Sequence, residues 1–513
     1  MANLINMLMN LDWRNQIMIT LCTVLCGVII FHVSRCERRT NRMMPMLKSF
    51  NQLPTLPLIG SVYLLLGGMR ERMEKLLKIF NEYELPLVGW LMHIPVVCVG
   101  KSDDIQTILS TTRSKDLLGI FERIVGNSLI TLQGEKWRRS RRTVTPAFSP
   151  SMFQRYFPVF NEYSALLMKK LEPLCDTDEV FDIRSHVFTM NLNSITKNMS
   201  GYEIETSSDE SLKIVDAIYK ALRMESMRFT VPLLFPKALN EIYLYLSGKY
   251  KIYDKIYQLP KNIVREKLAK QNEKRGGQQD EDENTGAGSS KTLIDSLLKL
   301  HTTDANFTQQ HIQDEILGII TAGYESTAIT VCTILLMLAM HPKAQETVHD
   351  EIETIFGDSD REVQMEDVKN LVYMEQCINE TLRKFPIIPL TLRIHDENIV
   401  LSDNRIIPAG CRIFLAFYAS HHDKAFFPNA DNWDPEHFSA ERTDKCKNAF
   451  FPFGSGLRLC VGAKYAMMTM KTQLVHLLRR YRFTTHMKIQ DVHLILDLLM
   501  RNDSGYWLKL HSR

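Results

Sequence analysis

The stretch FPFGSGLRLCVG, Phe451 to Gly462, places one cysteine, Cys460, among three glycines and an arginine. The thiolate rather than the thiol binds metals, and burial alone disfavours the thiolate. Glycines let the backbone fold tightly enough to aim amides at a sulfur. The amphipathic pattern that follows, VGAKYAMMTMKTQLVHLL, puts Cys460 near the start of a helix, where the dipole favours negative charge. The stretch therefore predicts a metal-binding thiolate, with a buried structural cysteine as the alternative.

The spacing Phe-x-x-Gly-x-Arg-x-Cys-x-Gly is complete in this stretch. With it the chain resembles the cytochrome P450 monooxygenases, in which the cysteine thiolate is the axial ligand of haem iron. The resemblance implies haem b, non-covalently bound apart from ligation by Cys460. It also implies that Phe453 packs near the sulfur and that Arg458 pairs with a haem propionate.

Two other segments match further haem contacts of that family. Trp137 and Arg141, in GEKWRRSRRTVTPAF, match a helix whose tryptophan and arginine contact a propionate, and Arg393, in FPIIPLTLR, matches another propionate contact. Three arginines from distant segments would neutralise two carboxylates, as a buried dianion requires. A basic surface helix is the alternative for the segment around Trp137.

A structural element of the family is matched by NETLRKFP. Glu380 and Arg383 are three apart on a helical pattern, so their side chains meet. The resemblance implies a third partner in DPEHF, where His437 occupies a position that arginine or histidine holds in the family. Histidine can donate a hydrogen bond but lacks the planar fork of arginine. We therefore expect a locally weaker triad.

The segment AGYEST, Ala322 to Thr327, lies in a helical run predicted from Gln310 to His341. Glycine inside a helix costs stability, so Gly323 indicates close approach to a flat cofactor and room for dioxygen at Ala322 and Gly323. Glu325, followed by the hydroxyls of Ser326 and Thr327, matches the family's proton-delivering acid and alcohol. Serine lacks the methyl group that restricts threonine, which predicts looser proton delivery. A polar helix patch with a packing glycine is the alternative.

The segment RRTVTPAF resembles the clan that contains fatty-acid ω-hydroxylases. In several of those enzymes a glutamate at the position of Ala322 forms an ester with the haem. Alanine cannot form that bond, so the resemblance implies no such cross-link here.

The full chain has 45% hydrophobic and 24% charged residues, which are ordinary globular values, and the N-terminus departs from them. Between Arg14 and Arg35 lies an uncharged apolar segment long enough to cross a bilayer, and basic residues follow it. These features predict a single-pass anchor with a cytosolic catalytic body, with a cleaved signal peptide as the alternative. The resemblance implies that the membrane is that of the endoplasmic reticulum. The net charge of +3 gives no indication of nucleic-acid binding, and ten cysteines without a CxxC motif favour a reducing compartment.

The predicted organisation is an anchor over residues 1–35, a basic, proline-rich, non-helical linker over 36–60 and a haem-thiolate monooxygenase domain over 61–513. QNEKRGGQQDEDENTGAGSS, residues 271–290, is nearly free of apolar residues and is predicted to be a flexible loop. Short strands are predicted in HIPVVCVG and in NIVLSDNRIIPAGCRIFLAFYAS. The expected fold class is mainly α: the helical prism of the P450 fold with a small β-rich region.

The function that the resemblance implies is insertion of one oxygen atom of dioxygen into a lipophilic substrate, such as a fatty acid, a hormone or steroid, or a xenobiotic. No GxGxxG fingerprint follows a predicted strand, so electrons from NADPH must arrive through a partner. The resemblance implies NADPH–cytochrome P450 reductase, with cytochrome b5 as a further donor. Two alternatives stay open: a non-catalytic haem sensor or carrier, and a non-oxygenating hydroperoxide isomerase.

Overall fold

The computed structural model describes residues 42–57, 59–92, 94–112, 114–115, 119–205, 209–228, 231, 234, 237–276 and 292–513. The predicted anchor over residues 1–35 lies outside these ranges, and so does the larger part of the predicted loop over 271–290.

Helices form most of the described structure, in agreement with the predicted fold class. In chain order they are α1 Met69–Glu82, α2 Ser102–Thr111, α3 Glu122–Val125, α4 Gly134–Val144, α5 Pro150–Leu171, α6 Arg184–Ser200, α7 Glu210–Met227, α8 Lys237–Leu246, α9 Tyr250–Gly276, α10 Leu293–Thr303, α11 Gln309–Met340, α12 Pro342–Phe356, α13 Val372–Lys384, α14 Phe417–His421, α15 Thr443–Cys446 and α16 Ala463–Arg480.

The strands are short and lie at the periphery of the helices. They are β1 Asn51–Gln52, β2 Leu87–Leu91, β3 Ile94–Val99, β4 Phe181–Asp182, β5 Leu390–Ile394, β6 Ile399–Val400, β7 Ile406–Ile407, β8 Arg412–Ala416, β9 Tyr481–Thr484, β10 Leu494–Leu496, β11 Met500–Asn502 and β12 Trp507–Ser512. The largest sheet has the order β1-β2-β3-β8-β5. Its β3–β8 pair is parallel, which requires a long crossover and joins the N-terminal part of the chain to the C-terminal part.

Helix α11 is the centre of the core and packs along α6, α9, α13 and α16. It is mostly apolar and is buried over most of its length, which is typical of a helix surrounded by protein. Among the described residues it is the one helix long and apolar enough to cross a bilayer, but 83% of its most apolar window is buried within the fold. The central position of α11 lets its middle residues face a cavity while both ends stay anchored.

Part of the segment predicted as a non-helical linker, residues 42–52, belongs instead to the folded body. Residues 42–47 are helical, and Asn51–Gln52 adds a parallel strand to β2. Met43, Leu47 and Phe50 are spaced so that they share one face, and all three are buried against the sheet.

Two other elements end at different residues from those predicted from the sequence. Helix α9 continues to Gly276, inside the loop predicted from residue 271, because glutamine, glutamate, lysine and arginine at 271–275 are good helix formers. The predicted strands near residue 400 are present, with turns at Asn404 (φ 65°) and Gly410 (φ 73°). Their last residues, from Phe417, form a short helix instead.

Candidate active site

The loop that carries Cys460 requires glycine at a defined position. Gly454 and Gly456 have φ of 72° and 65°, which side chains rarely adopt. A Cβ on Gly456 would also overlap the backbone carbonyl of Leu109, at the end of α2. The Cys460 N–H donates to the Phe453 carbonyl at 3.1 Å, which closes the loop just before α16 begins. The loop is therefore fixed on both sides of the cysteine.

The Cys460 thiol lines the main cavity, and opposing influences act on its ionisation. The Cys460 side chain is accessible from the cavity, but the surrounding protein still desolvates a thiolate there and raises the pKa of the thiol. The Gly462 N–H and the positive charges of Arg141 and Lys115 act in the opposite direction. Amide and cationic groups are the partners that a desolvated thiolate needs. The surroundings of Cys460 are thus arranged for negative charge on sulfur.

Four cationic side chains line the same end of the cavity: Lys115, Arg141, Arg393 and Arg458. Burial lowers the pKa of Arg393 to about 10, that of Arg458 to about 9 and that of Lys115 to about 7. Mutual repulsion adds to this effect for Arg458 and Lys115. No carboxylate of the described residues is among the groups that shift these pKa values. The cluster is thus an electropositive site suited to a multiply charged anion.

The neighbours of these cations hold them in place. The Arg458 guanidinium lies over the Trp137 ring, 4.4 Å from its centroid, and donates to the Leu132 carbonyl at 3.1 Å. Arg141 donates to the Leu459 carbonyl at 3.0 Å, which links α4 to the cysteine loop. Arg393 donates to Thr391 Oγ1 at 2.9 Å, but its Nε has no hydrogen-bond partner within the described chain. A buried donor that the protein leaves unpaired is available to an acceptor from a bound group.

Helix α11 presents Ala322 and Gly323 to the cavity, together with the residues that follow. A Cβ on Gly323 would overlap the end of the Ile195 side chain on α6. Helix packing is therefore a second reason for glycine at this position, beside the predicted approach of a cofactor. Because the overlapping atom ends a flexible side chain, a small displacement of Ile195 would relieve it.

The predicted acid and alcohols also line this cavity. Glu325 is 1% exposed, and burial raises the pKa of its carboxyl to about 7. The Ser326 hydroxyl donates to the Ala322 carbonyl at 2.8 Å. Thr327 is buried, and its hydroxyl has no partner among the described residues. The structure thus brings together an acid of near-neutral pKa and two hydroxyls.

The cavity has a volume of about 570 Å³ and extends from Cys460 towards α1 and β2. Its walls are mainly apolar and include Leu222, Ile319, Leu382, Ile387, Leu496 and Leu498. Such walls bind a lipophilic molecule and exclude water from it.

Glu380, Arg383 and His437 meet in the interior of the protein. Arg383 donates two hydrogen bonds of 2.7 Å to the Glu380 carboxylate, and His437 Nδ1 lies 3.2 Å from each of its oxygens. His437 Nε2 lies 2.6 Å from the Pro428 carbonyl. Burial opposes the charged imidazole, but the hydrogen bond and charge of Glu380 outweigh it and raise the pKa of His437. Both ring nitrogens of His437 face acceptors, so the protonated imidazole can donate from each of them. His437 therefore supplies a positive charge and a hydrogen bond to Glu380, as an arginine would.

Comparison with known proteins agrees with this geometry. A family model described as Cytochrome P450 matches residues 51–509. This chain belongs to the cytochrome P450 family. Its relatives include cytochrome P450 4V2 of Pongo abelii, 28% identical over 507 residues, which cover 94% of this chain and 93% of the relative. Cytochrome P450 4c21 of Blattella germanica is 29% identical over 482 residues, with coverages of 93% and 95%. Probable cytochrome P450 4aa1 of Drosophila melanogaster is 28% identical over 466 residues, with coverages of 90% and 89%.

This cytochrome P450 is a monooxygenase of the haem-thiolate type, and its own residues fit the haem. The donor set is one thiol, Cys460, at the end of a mostly apolar cavity, with four cations beside it. The unpaired Nε of Arg393 supplies a free donor at this end. A flat apolar group with two carboxylates matches this arrangement. Cys460 would ligate the iron, and Arg141, Arg393 and Arg458 would neutralise the carboxylates.

Three charged residues near the site carried no recognisable signal in the sequence. Lys115 follows no motif, and its place beside Arg393 and Arg458 arises from the folding of distant segments. Asp497 and Arg501 lie in the hairpin formed by β10 and β11, and Arg501 reaches Glu325 on α11. Asp497 and Arg501 are four residues apart, a spacing that predicts contact on a helix, but the sequence here has no helical pattern. Their contact could therefore not be predicted from the sequence alone.

Proposed function

We propose that this cytochrome P450 inserts one oxygen atom of dioxygen into a lipophilic substrate, with electrons that NADPH supplies through a reductase. Fatty acids, hormones or steroids and xenobiotics are the substrate classes that this chemistry admits. The observation that carries the proposal is one apolar cavity bounded by the Cys460 thiol and by the acid–alcohol segment Glu325–Thr327. When bound, haem b supplies dioxygen activation, which an electron-donating thiolate favours.

The residues of the chain have separate tasks in this proposal. The apolar walls bind the substrate and exclude water. Glu325 holds a proton at near-neutral pH, as a general acid must, and the hydroxyls of Ser326 and Thr327 lie next to it in sequence on the cavity side of α11. Two protons and two electrons are consumed for each hydroxyl product and water formed.

The test uses the haem-loaded full chain, a purified reductase and a lipophilic library screened by spectral titration. With a compound that binds, NADPH and isotopically labelled dioxygen should yield a product that carries one labelled oxygen atom. A sensor or carrier would give binding without product. An isomerase would convert a hydroperoxide without NADPH or labelled dioxygen. Either result, in place of the labelled product, would overturn the proposal.

Basic residues near the cysteine loop support docking of an acidic flavoprotein such as NADPH–cytochrome P450 reductase, or of cytochrome b5. Arg138 and Arg139 on α4 already pair with Glu135 and Asp304, and Lys447 pairs with Asp444. Lys136, Arg142, Lys445 and Lys464 are exposed and form no ion pair within the described ranges. Lys445 lies on the separate helix α15, while the other three lie on α4 and at the start of α16. The Arg141–Leu459 hydrogen bond joins the two segments that carry them. These three are therefore the preferred docking cations.

Reversal of Lys136, Arg142 and Lys464 to glutamate should slow reductase-supported turnover, most at low ionic strength, because exposed charges act mainly on association rate. Turnover driven by added peroxide should be nearly unchanged. Reversal of the exposed Lys213, Lys251 and Lys343 is the matched control. Equal loss by both routes would show that the three cations support the fold rather than docking.

Attachment to the endoplasmic reticulum membrane is part of the same proposal. The uncharged segment between Arg14 and Arg35 supports a single-pass anchor. Helix α8 supports a second contact, because Ile242, Tyr245 and Leu246 are 55%, 78% and 77% exposed. Neighbouring large apolar side chains exposed on one short helix are typical of an interface with lipid or protein.

A further inference from the structure

A buried ion cluster joins the central helix to the C-terminal hairpin. Glu325, Arg501 and Asp497 are 1%, 3% and 0% exposed. Arg501 Nη2 lies 2.9 Å from Glu325 Oε1 and 2.8 Å from Asp497 Oδ1. Arg501 Nε donates a second hydrogen bond to the same Asp497 oxygen at 3.2 Å. Asp497 accepts two hydrogen bonds from Arg501 in good geometry, whereas Glu325 is held by a single close contact, so Asp497 is the better-bound partner.

One arginine between two carboxylates leaves negative charge in excess. Removing ions from water is costly unless each is paired, and here two anions share one cation. Burial therefore raises the pKa of both Glu325 and Asp497, while Arg501 opposes the shift in each. Asp497 raises the pKa of Glu325 further through its charge. The result is an acid that is neither permanently charged nor permanently neutral at physiological pH.

Other titratable and charged groups surround this cluster. The Tyr219 ring lies 5.0 Å from the Arg501 guanidinium, and Tyr324 precedes Glu325 on α11. The groups that act electrostatically on members of the cluster also include Arg72 on α1, Arg223 on α7 and Tyr506 before β12. Arg223 is exposed, so solvent screens it, and Arg501 remains the dominant cation at Glu325.

The cluster divides into a part that faces the cavity and a part that lies behind it. Glu325 lines the main cavity, whereas Arg501 and Asp497 are not among the residues that line it. Leu496 and Leu498, from the same hairpin, do line it. The charge that acts on the acid is therefore attached to a hairpin that also borders the substrate space.

We propose that Arg501 and Asp497 are positioning residues that hold the Glu325 carboxyl and set its proton affinity from the C-terminal hairpin. The proposal rests on the proposed function of Glu325 as the acid of proton delivery. When Glu325 donates its proton it becomes a carboxylate, and Arg501 stabilises that charge. A proton from solvent then restores the acid. The negative charge of Asp497 opposes this stabilisation of the Glu325 carboxylate. Glu325 therefore keeps its proton until it donates it.

Charge substitutions test the proposal on the haem-loaded full chain. The infrared band of the protonated Glu325 carboxyl is assigned by its loss in Glu325→Gln and is followed against pH. Asp497→Asn should lower the midpoint of this titration, and Arg501→Gln should raise it, each by about tenfold in proton affinity, because a neighbouring charge is removed. Arg501→Lys keeps the charge and should stay close to the unmodified protein. If Arg501 and Asp497 only supported the fold, Arg501→Gln and Asp497→Asn would shift the titration midpoint of Glu325 in the same direction.

Shifts in the same direction, or no shift, would overturn the proposal. Should Arg501→Gln fail to fold, Asp497→Asn and Arg501→Lys decide the matter: a raised or unchanged midpoint in Asp497→Asn contradicts the tuning role. Peroxide released per NADPH, measured against pH, tests the proposed function separately. If the midpoint moves as expected but this pH profile does not follow it, the tuning role stands and the role of Glu325 in proton delivery fails.

Discussion

At the residue scale, the hydroxyl of Ser326 donates a hydrogen bond to the Ala322 carbonyl of its own helix. A serine can rotate away from this bond more freely than a threonine, because it lacks the second substituent on Cβ. Ser326→Ala should increase the peroxide released per NADPH several-fold, and the double change with Thr327→Ala should increase it further. Thr333→Val, which removes a hydroxyl from α11 outside this cavity, is the control. An unchanged product yield per NADPH in Ser326→Ala would remove Ser326 from proton delivery.

Gly456 gives a second test at this scale, because conformation and contact can be separated. Gly454 and Gly456 both have positive φ, but only at Gly456 would a Cβ overlap neighbouring backbone. Gly454→Ala should destabilise the protein by about 1 kcal/mol, through backbone strain alone. Gly456→Ala should cost about 1–3 kcal/mol more, since the Leu109 carbonyl cannot move aside easily. Chemical denaturation of the two variants measures the difference, and equal losses would contradict the close approach of α2.

At the scale of elements, His437 ties the turn Pro435–Phe438 to α13 through Glu380. The pKa of His437 is raised above its usual 6.5 in the folded protein. Its stabilising contribution is therefore complete below pH 6.5 and is lost as pH rises through the raised value. His437→Gln should lower the melting temperature most at acidic pH and flatten its dependence on pH across this window. His486→Gln, at an exposed position, is the control. If the melting temperature of His437→Gln depends on pH as steeply as that of the unmodified protein, the His437–Glu380 pair is not the cause of this dependence.

The predictable elements were those with a local pattern. The glycines and cysteine of the 451–462 loop, the apolar run of α11 and the i,i+3 pair Glu380–Arg383 each follow from neighbouring residues. The ends of elements were less predictable. Residues 42–50 were predicted as part of the linker over 36–60, because that segment is basic and rich in proline, although Leu47 and Phe50 are buried by strands that follow much later in the chain. Only the tertiary fold supplies that partner surface.

At the scale of the whole molecule, contacts between distant segments bring together charged residues that the sequence did not predict to meet. Lys115 joins Arg393 and Arg458, and Arg501 meets Glu325, across long separations in the chain. Such pairs have no periodicity, so a single sequence contains no signal for them. The family pattern predicted which residues meet at the cavity, because each matched a motif, but not the charged residues that act on them.

Membrane attachment is also a property of the whole molecule. Deletion of residues 1–35 should leave haem binding intact and release much of the protein from membranes. Part of it should remain bound, because the exposed apolar face of α8 can lie in the lipid interface. Ile242→Glu and Leu246→Glu, added to the deletion, should release the remainder in a flotation assay. Complete release by the deletion alone would contradict a contact through α8.

The central claim is that the Cys460 thiolate ligates haem iron. The most direct measurement is the absorption spectrum of the reduced carbon monoxide complex, recorded for the unmodified protein, Cys460→His and Cys460→Ala. The unmodified protein and the control Cys175→Ser should show the long-wavelength band of a thiolate-ligated haem, because a thiolate donates more charge to iron than imidazole does. Both Cys460 variants should lack it. Survival of that band in Cys460→Ala would contradict the assignment of the ligand, and with it this account of the active site.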